Sequence, residues 1–223
     1  MYVVTGCSSG LGFEITKQLL GKKKKVLGFS RSLGKAVAFN GDENFEHVAG
    51  DLTSSANLDH LGNIIESDNE EVRLVLNAAQ FEFEGTESLD IYKSKTIFDV
   101  NYFSAVTLVE RCKENGLKRV LFVNSVAGLN PQEGQAQYSA SKHALQAYAE
   151  TLAKYSVGRD FDVMTVNPGG INSELWDKNN LLDKCITDNF LKSSVLAAFI
   201  CNILELPPNT YIRSLVILPE HDI

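Results

Sequence analysis

The fold is decided by one stretch near the start of the chain, Tyr2-Val3-Val4-Thr5-Gly6-Cys7-Ser8-Ser9-Gly10-Leu11-Gly12. Its apolar beginning is typical of a buried β-strand, and the residues after it have the periodicity of a helix. Glycines in such a turn let the chain bend sharply, let the backbone approach a phosphate and let the helix pack close to the strand. The N–H groups at the start of that helix would then face a pyrophosphate. The residues predicted to hold it are Thr5, Gly6, Ser8, Ser9, Gly10, Leu11 and Gly12.

An ordinary strand-to-helix turn would explain the same glycines, and a second enzyme motif overlaps them. Residues Gly6 to Gly10 also satisfy G-x-S-x-G, the nucleophile elbow of α/β-hydrolases. That motif requires an acid and then a histidine later in the chain, but His143 falls inside a predicted helix and His221 among the last three residues. It also requires strands before the elbow to build an oxyanion hole, whereas this loop follows the first strand. A hydrolase is therefore disfavoured.

Composition limits the class of protein. The 223 residues are 44% hydrophobic and 22% charged, which predicts one globular domain over residues 1–223. A formal net charge of -7 argues against nucleic acid or an anionic membrane as a partner, and the basic run Lys22 to Lys25 is interpreted as a solvated surface. No apolar run is long enough to cross a bilayer. An apolar strand that starts at Tyr2 leaves no room for a signal peptide, so we expect a cytoplasmic protein.

The cysteines carry no metal-binding or disulfide pattern. Cys7, Cys112, Cys185 and Cys201 are scattered and include no C-x-x-C pair. Such spacing predicts free thiols in a reducing compartment and no metal site.

Short apolar runs alternate with longer amphipathic runs along the whole sequence. The runs predicted as strands are Tyr2–Thr5, Val26–Phe29, Phe45–Ala49, Val72–Leu76, Arg119–Asn124, Asp162–Val166 and Ser214–Leu218. The runs predicted as helices are Gly10–Leu20, Ser55–Glu66, Asp90–Lys113, Gln137–Val157 and Lys192–Leu204. The strands barely alternate between apolar and polar residues, as expected for strands that are buried on both faces. The predicted fold class is α/β, a Rossmann-type doubly wound parallel sheet of about seven strands with helices on both faces.

The end of the second predicted strand bears on cofactor choice. Sites that prefer NAD carry an acidic residue about 20 positions after the glycines, to bind the ribose 2′-hydroxyl. Here the strand ends in Ser30 and Arg31, with no carboxylate. A hydroxyl and a guanidinium suit a 2′-phosphate, so NADP(H) is favoured over NAD(H). The alternative is that Arg31 is an ordinary surface residue in a loop.

A candidate acid–base group lies around the predicted fourth helix, Gln137–Val157. Tyr138 and Lys142 are four residues apart, so their side chains project from one helix face. A neighbouring ammonium favours a phenolate and is expected to lower the tyrosine pKa toward a useful range. Ser125 follows the preceding strand, where its hydroxyl could hold a substrate oxygen beside the phenol. Tyr-x-x-x-Lys alone arises often by chance on helices.

These motifs together resemble the short-chain dehydrogenase/reductase family, and the resemblance runs nearly end to end. The marks that carry it are Thr5-Gly6-x3-Gly10-x-Gly12, Asp51-Leu52, Asn77-Ala78-Ala79, Asn101, Ser125, Tyr138-x3-Lys142 and Asn167-Pro168-Gly169. The resemblance implies an enzyme that moves hydride between nicotinamide and a small carbonyl or alcohol. It implies that Tyr138 donates a proton to the carbonyl oxygen, that Ser125 orients this oxygen, and that the proton is replaced through Lys142 and a water held by Asn101.

The same resemblance assigns further cofactor contacts. Asp51 and Leu52 would flank the adenine ring, and Asn77, Ala78 and Ala79 would line the cofactor cleft. Lys142 would also bind the nicotinamide ribose. The residues expected around the nicotinamide are Pro168, Gly169, Ile171 and Ser173. Each has a simpler interpretation as well: Asp51 could cap a turn, and Asn101 could bond a backbone carbonyl.

This sequence departs from the family pattern in two places. The family's Asn-Asn-Ala-Gly after the fourth strand is replaced by Leu76-Asn77-Ala78-Ala79, so an asparagine and a glycine are lost. The chain ends soon after the last strand without the usual glycine-rich tail, which disfavours the family's common homotetramer and makes a dimer or a monomer credible. A homo-oligomer, dimer or tetramer, is kept as a partner expectation, with the tetramer the less favoured of the two.

The substrate pocket is predicted to be apolar and aromatic. Its candidate residues are Gln80, Phe81, Phe83, Val126 to Leu129, Gly170, Leu175 and Trp176, which favours a hydrophobic or aromatic carbonyl substrate. Two other functions remain: a non-catalytic NADP(H) sensor on the same fold, and an epimerase or dehydratase of the extended subgroup, for which the chain lacks a substrate domain.

Overall fold

Seven short strands form one parallel sheet at the centre of the protein. The computed structural model describes residues 1–68, 70–83, 90–131, 133–174, 189–207, 210 and 212–220. The strands of the sheet are β1 (Tyr2–Thr5), β2 (Val26–Ser30), β3 (Phe45–Ala49), β4 (Val72–Leu76), β5 (Leu117–Val123), β6 (Asp162–Pro168) and β9 (Leu215–Ile217). Their order is β3-β2-β1-β4-β5-β6-β9, and every neighbouring pair is parallel. The strand order therefore reverses between β1 and β4, and ligands of such sheets bind in the crevice at that point.

Helices cover both faces of the sheet. They are α1 (Gly10–Gly21), α2 (Ser55–Ser67), α3 (Ile91–Phe98), α4 (Ser104–Cys112), α5 (Ala136–Tyr155) and α6 (Ser193–Leu204). One core joins α2, α4 and α5 to the first face, for example through Leu61 and Leu108, and a second core joins α1 and α6 to the other face through Ile15 and Ile200. Successive strand residues supply both cores, which is why the strands are apolar without alternation. The predicted fold class is confirmed.

The structure differs from the sequence prediction between α3 and α4. One continuous helix was predicted over Asp90–Lys113, but a π-helical turn, Asp99–Phe103, separates the two helices and carries Asn101. A π-turn inserts a residue without breaking the helical pattern of apolar residues, so periodicity does not reveal it, and such turns are frequent at functional sites.

Several short elements also went unpredicted. Two 3₁₀ turns, Gly34–Phe39 and Val126–Gly128, follow β2 and β5. A separate two-stranded parallel sheet pairs β7 (Ile171–Asn172) with β8 (Leu191–Lys192). Among the described residues, no helix is both long enough and apolar enough to span a bilayer.

Candidate active site

A cavity of about 880 Å³ opens along the carboxyl ends of the strands. Most residues that the sequence predicted to bind a cofactor lie on its wall. Those on the wall are Gly6, Ser8, Ser9, Gly10, Leu11, Ser30, Arg31, Asp51, Leu52, Asn77, Ala78, Ala79, Tyr138, Lys142, Ile171 and Ser173. The predicted residues that are not part of the wall are Thr5, Gly12, Asn101, Ser125, Pro168 and Gly169. Among the described residues, no group of three or more His, Cys, Asp or Glu side chains is arranged to hold a metal ion.

The glycine loop is held at the switch point by a bridge between β1 and β4. The Thr5 hydroxyl accepts hydrogen bonds from the backbone N–H groups of Asn77, at 3.0 Å, and Ala78, at 3.1 Å. The Asn77 side chain in turn donates to the Thr5 carbonyl oxygen at 3.0 Å. Gly6 and Gly10 have φ of 73° and 53°, in the left-handed region that favours glycine. This bridge fixes the loop beside the cavity although Thr5 itself is buried.

A carboxylate that the sequence did not single out contacts this loop. The backbone N–H of Gly10, the first residue of α1, donates to Glu174 Oε2 at 3.0 Å, and the other carboxylate oxygen of Glu174 pairs with Lys35. Burial acts to raise the pKa of Glu174. The hydrogen bond and charge of Lys35, together with backbone hydrogen bonds from Glu174 itself and from Gly10, outweigh burial and leave that pKa lowered. Glu174 comes from a distant part of the chain, so no local motif announces the contact.

The two residues at the end of β2 differ in exposure and in hydrogen bonding. Ser30 is buried, and its hydroxyl donates to the Ser32 carbonyl oxygen at 2.8 Å and lies 2.9 Å from His47 Nε2. Arg31 is exposed on the cavity wall. The hydroxyl predicted to meet a 2′-phosphate is thus already engaged, and Arg31 is the cation of the pair that faces the cavity.

Asp51 lies opposite Arg31 and is held in a turn. Its Oδ1 accepts hydrogen bonds from the Thr53 backbone N–H at 2.8 Å and from the Thr53 hydroxyl at 2.9 Å. The Thr53 backbone hydrogen bond is the main reason that the pKa of Asp51 is lowered, and the charge of Arg31 adds to it. Asp51 therefore presents a fixed carboxylate to the end of the cavity expected to take an adenosine.

Tyr138 and Lys142 lie side by side in the cavity wall on the first turns of α5. Both are buried, and Lys142 Nζ lies 5.8 Å from the centroid of the Tyr138 ring. Lys142 Nζ donates to the Val123 carbonyl oxygen at 3.1 Å, which ties the helix to the end of β5. Ser125, two residues after β5, is partly exposed, and its Oγ accepts from the Ala127 backbone N–H at 3.1 Å.

Burial controls the ionisation of this pair. It raises the pKa of Tyr138 to about 12, while a hydrogen bond with Ser125 acts in the opposite direction. It lowers the pKa of Lys142 to about 7. The expected lowering of the tyrosine pKa is wrong for this structure: the pKa of Tyr138 is raised, because desolvation disfavours the charged form of the phenol more strongly than its neighbours favour it. At neutral pH the phenol keeps its proton.

Asn101 is not part of the cavity wall, but it links Gln80 in that wall to α5. Its Oδ1 accepts from the Gln80 backbone N–H at 2.7 Å, and its Nδ2 donates to the Gln80 carbonyl oxygen at 2.9 Å and to Ser141 Oγ at 3.0 Å. Ser141 then donates to the Tyr138 carbonyl oxygen at 2.7 Å. That Asn101 holds a water beside Lys142 stays a prediction.

The wall next to Tyr138 is aromatic near the phenol and polar near the rim. Phe81 is buried and meets Tyr138 edge-on, with ring centroids 5.1 Å apart. Near the rim, Gln80 Nε2 donates to Glu82 Oε1 at 3.4 Å, and Glu82 pairs with Lys93 at 3.0 Å. Phe83 also lines the cavity, whereas Gly170 and residues 126–129 do not. Leu175 and Trp176 lie outside the described residues.

Relatives of known family match most of this chain. The family model described as short chain dehydrogenase matches residues 1–183. A probable short-chain type dehydrogenase/reductase from Helicobacter pylori is 31% identical over 183 residues, which is 80% of this chain and 67% of the relative. Across the similar curated proteins, the aligned stretch covers 60% to 72% of the relative's length.

Solved structures agree with the fold. A serine dehydrogenase complexed with NADP+ has a TM-score of 0.86 and 20% identity, with 97% of this chain and 93% of that chain covered. A 3-ketoacyl-(acyl-carrier-protein) reductase from Brucella melitensis complexed with NADH has a TM-score of 0.87 and 20% identity, with coverage of 100% and 98%. The family model and the Helicobacter relative, taken with this fold, show that the chain belongs to the short-chain dehydrogenase family of oxidoreductases.

Proposed function

We propose that this protein is an NADP(H)-dependent reductase of a small carbonyl compound, with Tyr138 as the proton donor. The observation that carries the proposal is the pairing of buried Tyr138 and Lys142 on the wall of a cavity whose other end is the glycine loop. Perturbed titratable groups inside a cleft are typical of catalytic sites. The same residues would catalyse alcohol oxidation in the reverse direction.

The residues around the cavity fit a dinucleotide. Its volume of about 880 Å³ lies in the range of ligand sites. The Gly10 N–H already binds an anionic group, the Glu174 carboxylate, as it would bind a phosphate oxygen. Gly6, Gly10 and the Thr5–Asn77 bridge would hold the pyrophosphate end, and Asp51 the adenosine. Lys142 and Ser173 would hold the nicotinamide end.

Tyr138 would transfer the proton. A bound NADPH supplies the hydride, and the protein supplies position and electrostatics. With its pKa raised by burial, the Tyr138 hydroxyl is protonated at neutral pH and can donate to the oxygen of a carbonyl as negative charge develops there. Ser125, which hydrogen-bonds Tyr138, would hold the same oxygen from a second side. The Lys142 ammonium form would stabilise the phenolate that remains.

Arg31 supports the choice of NADP(H), and the aromatic wall supports an apolar substrate. Arg31 is exposed at the end of β2, where a guanidinium binds phosphate oxygens through two parallel hydrogen bonds. Phe81, which packs against Tyr138, and Phe83, which lines the same cavity, favour a carbonyl that carries a hydrophobic or aromatic group. The Glu82–Lys93 ion pair lies at the rim, so these charges would face bulk water and not the reacting carbon of the substrate.

Nicotinamide absorbance tests the proposal directly. Oxidation of NADPH is followed with a panel of aromatic and aliphatic ketones and aldehydes, with NADH run in parallel. Turnover that prefers NADPH is the expected result. Tight NADPH binding with no turnover on any carbonyl would favour the sensor interpretation, and the absence of binding by either cofactor would overturn the dinucleotide site.

A further inference from the structure

Glu174 holds the position at the glycine loop where a pyrophosphate is proposed to bind. The Gly10 N–H is one of the unpaired donors at the start of α1, and it donates to Glu174 Oε2 at 3.0 Å. A carboxylate at this end of a helix is electrostatically favourable, as a phosphate would be. The loop therefore already carries an anion, and that anion belongs to this chain.

Lys35 is attached to the same loop through its backbone. Its N–H donates to the Ser8 carbonyl oxygen at 2.8 Å. Gly34 before it has a φ of +50°, and a Cβ at that position would lie 2.6 Å from the Ser8 oxygen. The backbone of Lys35 thus lies against the loop, while its side chain is 61% exposed and reaches Glu174. The Lys35 backbone is therefore fixed against the loop, and its ammonium group lies beside the proposed phosphate position.

Glu174 and a pyrophosphate cannot both accept the Gly10 hydrogen bond. Glu174 keeps its charge at neutral pH because Lys35 and Gly10 lower its pKa. Two anions against one helix terminus also repel each other. A dinucleotide can therefore occupy the loop only after the Glu174 carboxylate has moved away, and Lys35 then loses its partner beside the incoming phosphate.

We propose that Glu174 is a displaceable latch that closes the glycine loop in the free protein, and that Lys35 exchanges the Glu174 carboxylate for a cofactor phosphate when the loop is filled. The inference rests on the proposed function, which assigns this loop to a dinucleotide. A closed latch lowers the apparent affinity by the fraction of molecules in which the loop is open. The two members of one ion pair then have opposite effects on binding.

The test measures binding of ADP-ribose, which carries the pyrophosphate without nicotinamide or a 2′-phosphate. Calorimetric Kd values are compared for the wild type, Glu174→Ala, Glu174→Asp and Lys35→Met, with thermal unfolding to confirm that each variant is folded. Glu174→Asp keeps the charge but shortens the side chain by about 1.5 Å. The carboxylate of the aspartate is then too far from the Gly10 N–H to accept its hydrogen bond. Glu14→Ala is the matched control, because Glu14 acts on Lys35 through charge alone.

The expected result is that both Glu174 variants bind ADP-ribose roughly fivefold or more tightly, that Lys35→Met binds more weakly, and that Glu14→Ala stays near wild type. An unchanged Kd in Glu174→Ala overturns the latch. So does a wild-type Kd in Glu174→Asp, or an equal gain in Glu14→Ala, since either would mean that charge alone acts. If neither ADP-ribose nor NADPH binds to any of these proteins, the proposed dinucleotide site fails and the latch fails with it.

Discussion

The side-chain amide of Asn101 pairs with both backbone polar groups of Gln80, accepting from its N–H at 2.7 Å and donating to its carbonyl oxygen at 2.9 Å. Gln80 is in the cavity wall, and Asn101 also reaches α5 through Ser141. Asn101 therefore holds the wall segment at a fixed distance from the helix that carries Tyr138. It is a positioning residue in this arrangement.

Replacing Asn101 by Ala should uncouple these elements. The Gln80 N–H and carbonyl would lose their partners, which costs about 1–3 kcal/mol for each buried group left unsatisfied. We expect a lower Tm and a kcat that falls more than KM rises, because proton transfer depends on the placement of Tyr138. Asn115→Ala removes an exposed amide that bonds Glu66 and Arg111. Equal effects of the two substitutions on kcat would contradict the positioning role.

Tyr138→Phe tests the proton donor. The substitution removes the hydroxyl and keeps the ring that packs against Phe81. Loss of a general acid typically lowers the rate by about 10²–10⁴-fold, and we expect kcat/KM for carbonyl reduction to fall in that range while the Kd of NADPH changes little. Tyr155→Phe, at the exposed end of the same helix, is the control. Turnover by Tyr138→Phe at close to the wild-type rate would remove Tyr138 from the mechanism.

Lys142 makes stability depend on pH in a defined direction. Its pKa is lowered by burial from 10.5 to about 7, so between these values the unfolded chain binds more protons than the folded one. Stability then rises with pH across that window, and the penalty for burying the ammonium is fully present below about pH 7. Denaturant unfolding of the wild type and of Lys142→Met at several pH values measures this dependence of stability on pH.

The free energy of unfolding of the wild type should rise relative to Lys142→Met between pH 7 and about 9.5. The upper limit stays below the range in which tyrosines ionise. The expected gain is on the order of a few kcal/mol, since each unit of pKa shift corresponds to about 1.4 kcal/mol. Lys142→Met should also lose activity at every pH. Parallel stability profiles for the two proteins would show that Lys142 titrates normally.

Arg31 should determine cofactor preference by itself. The Ser30 hydroxyl is engaged with Ser32 and His47, which leaves the guanidinium of Arg31 to meet a 2′-phosphate. A charge-assisted hydrogen bond contributes about 1.5–3 kcal/mol, so Arg31→Ala should raise the Kd of NADPH by roughly tenfold or more and leave that of NADH unchanged. Arg159→Ala removes an exposed arginine beyond the end of α5 and should change neither. A similar loss for both cofactors would show that Arg31 does not contact the 2′-phosphate.

The sequence predicted those parts of the fold that depend on local pattern. The bounds of β1, β3 and β4 agree with the bounds that were predicted from the apolar runs. The pairing of Tyr138 with Lys142 followed from helical spacing alone. Each of these features depends only on residues that lie a few positions apart in the sequence.

Contacts between distant segments were not predictable in the same way. The Gly10–Glu174 bond and the engagement of the Ser30 hydroxyl by His47 join residues whose sequence separation carries no pattern. The pKa of Tyr138 was misjudged for a related reason, since desolvation depends on how completely the cavity wall buries the phenol. Side-chain burial is a property of the assembled tertiary structure.

Two glycines of α1 provide a matched stability test. A Cβ on Gly12 would lie 2.3 Å from the Gly6 carbonyl oxygen and 2.5 Å from Asn77 Nδ2, whereas a Cβ on Gly21 would meet nothing within 4 Å. Gly12→Ala therefore has to move the backbone of the loop and the bridge from Asn77 to Thr5. We expect a loss of at least about 1–3 kcal/mol in the free energy of unfolding, as for other overpacked sites, and weaker binding of NADPH.

Gly21→Ala should gain up to about 1 kcal/mol in the free energy of unfolding, because alanine lowers the entropy of the unfolded chain. Denaturant unfolding of both variants decides the point. If Gly12→Ala were as stable as Gly21→Ala, the close packing of α1 on the glycine loop would be wrong, and with it the position from which the Gly10 N–H reaches an anion.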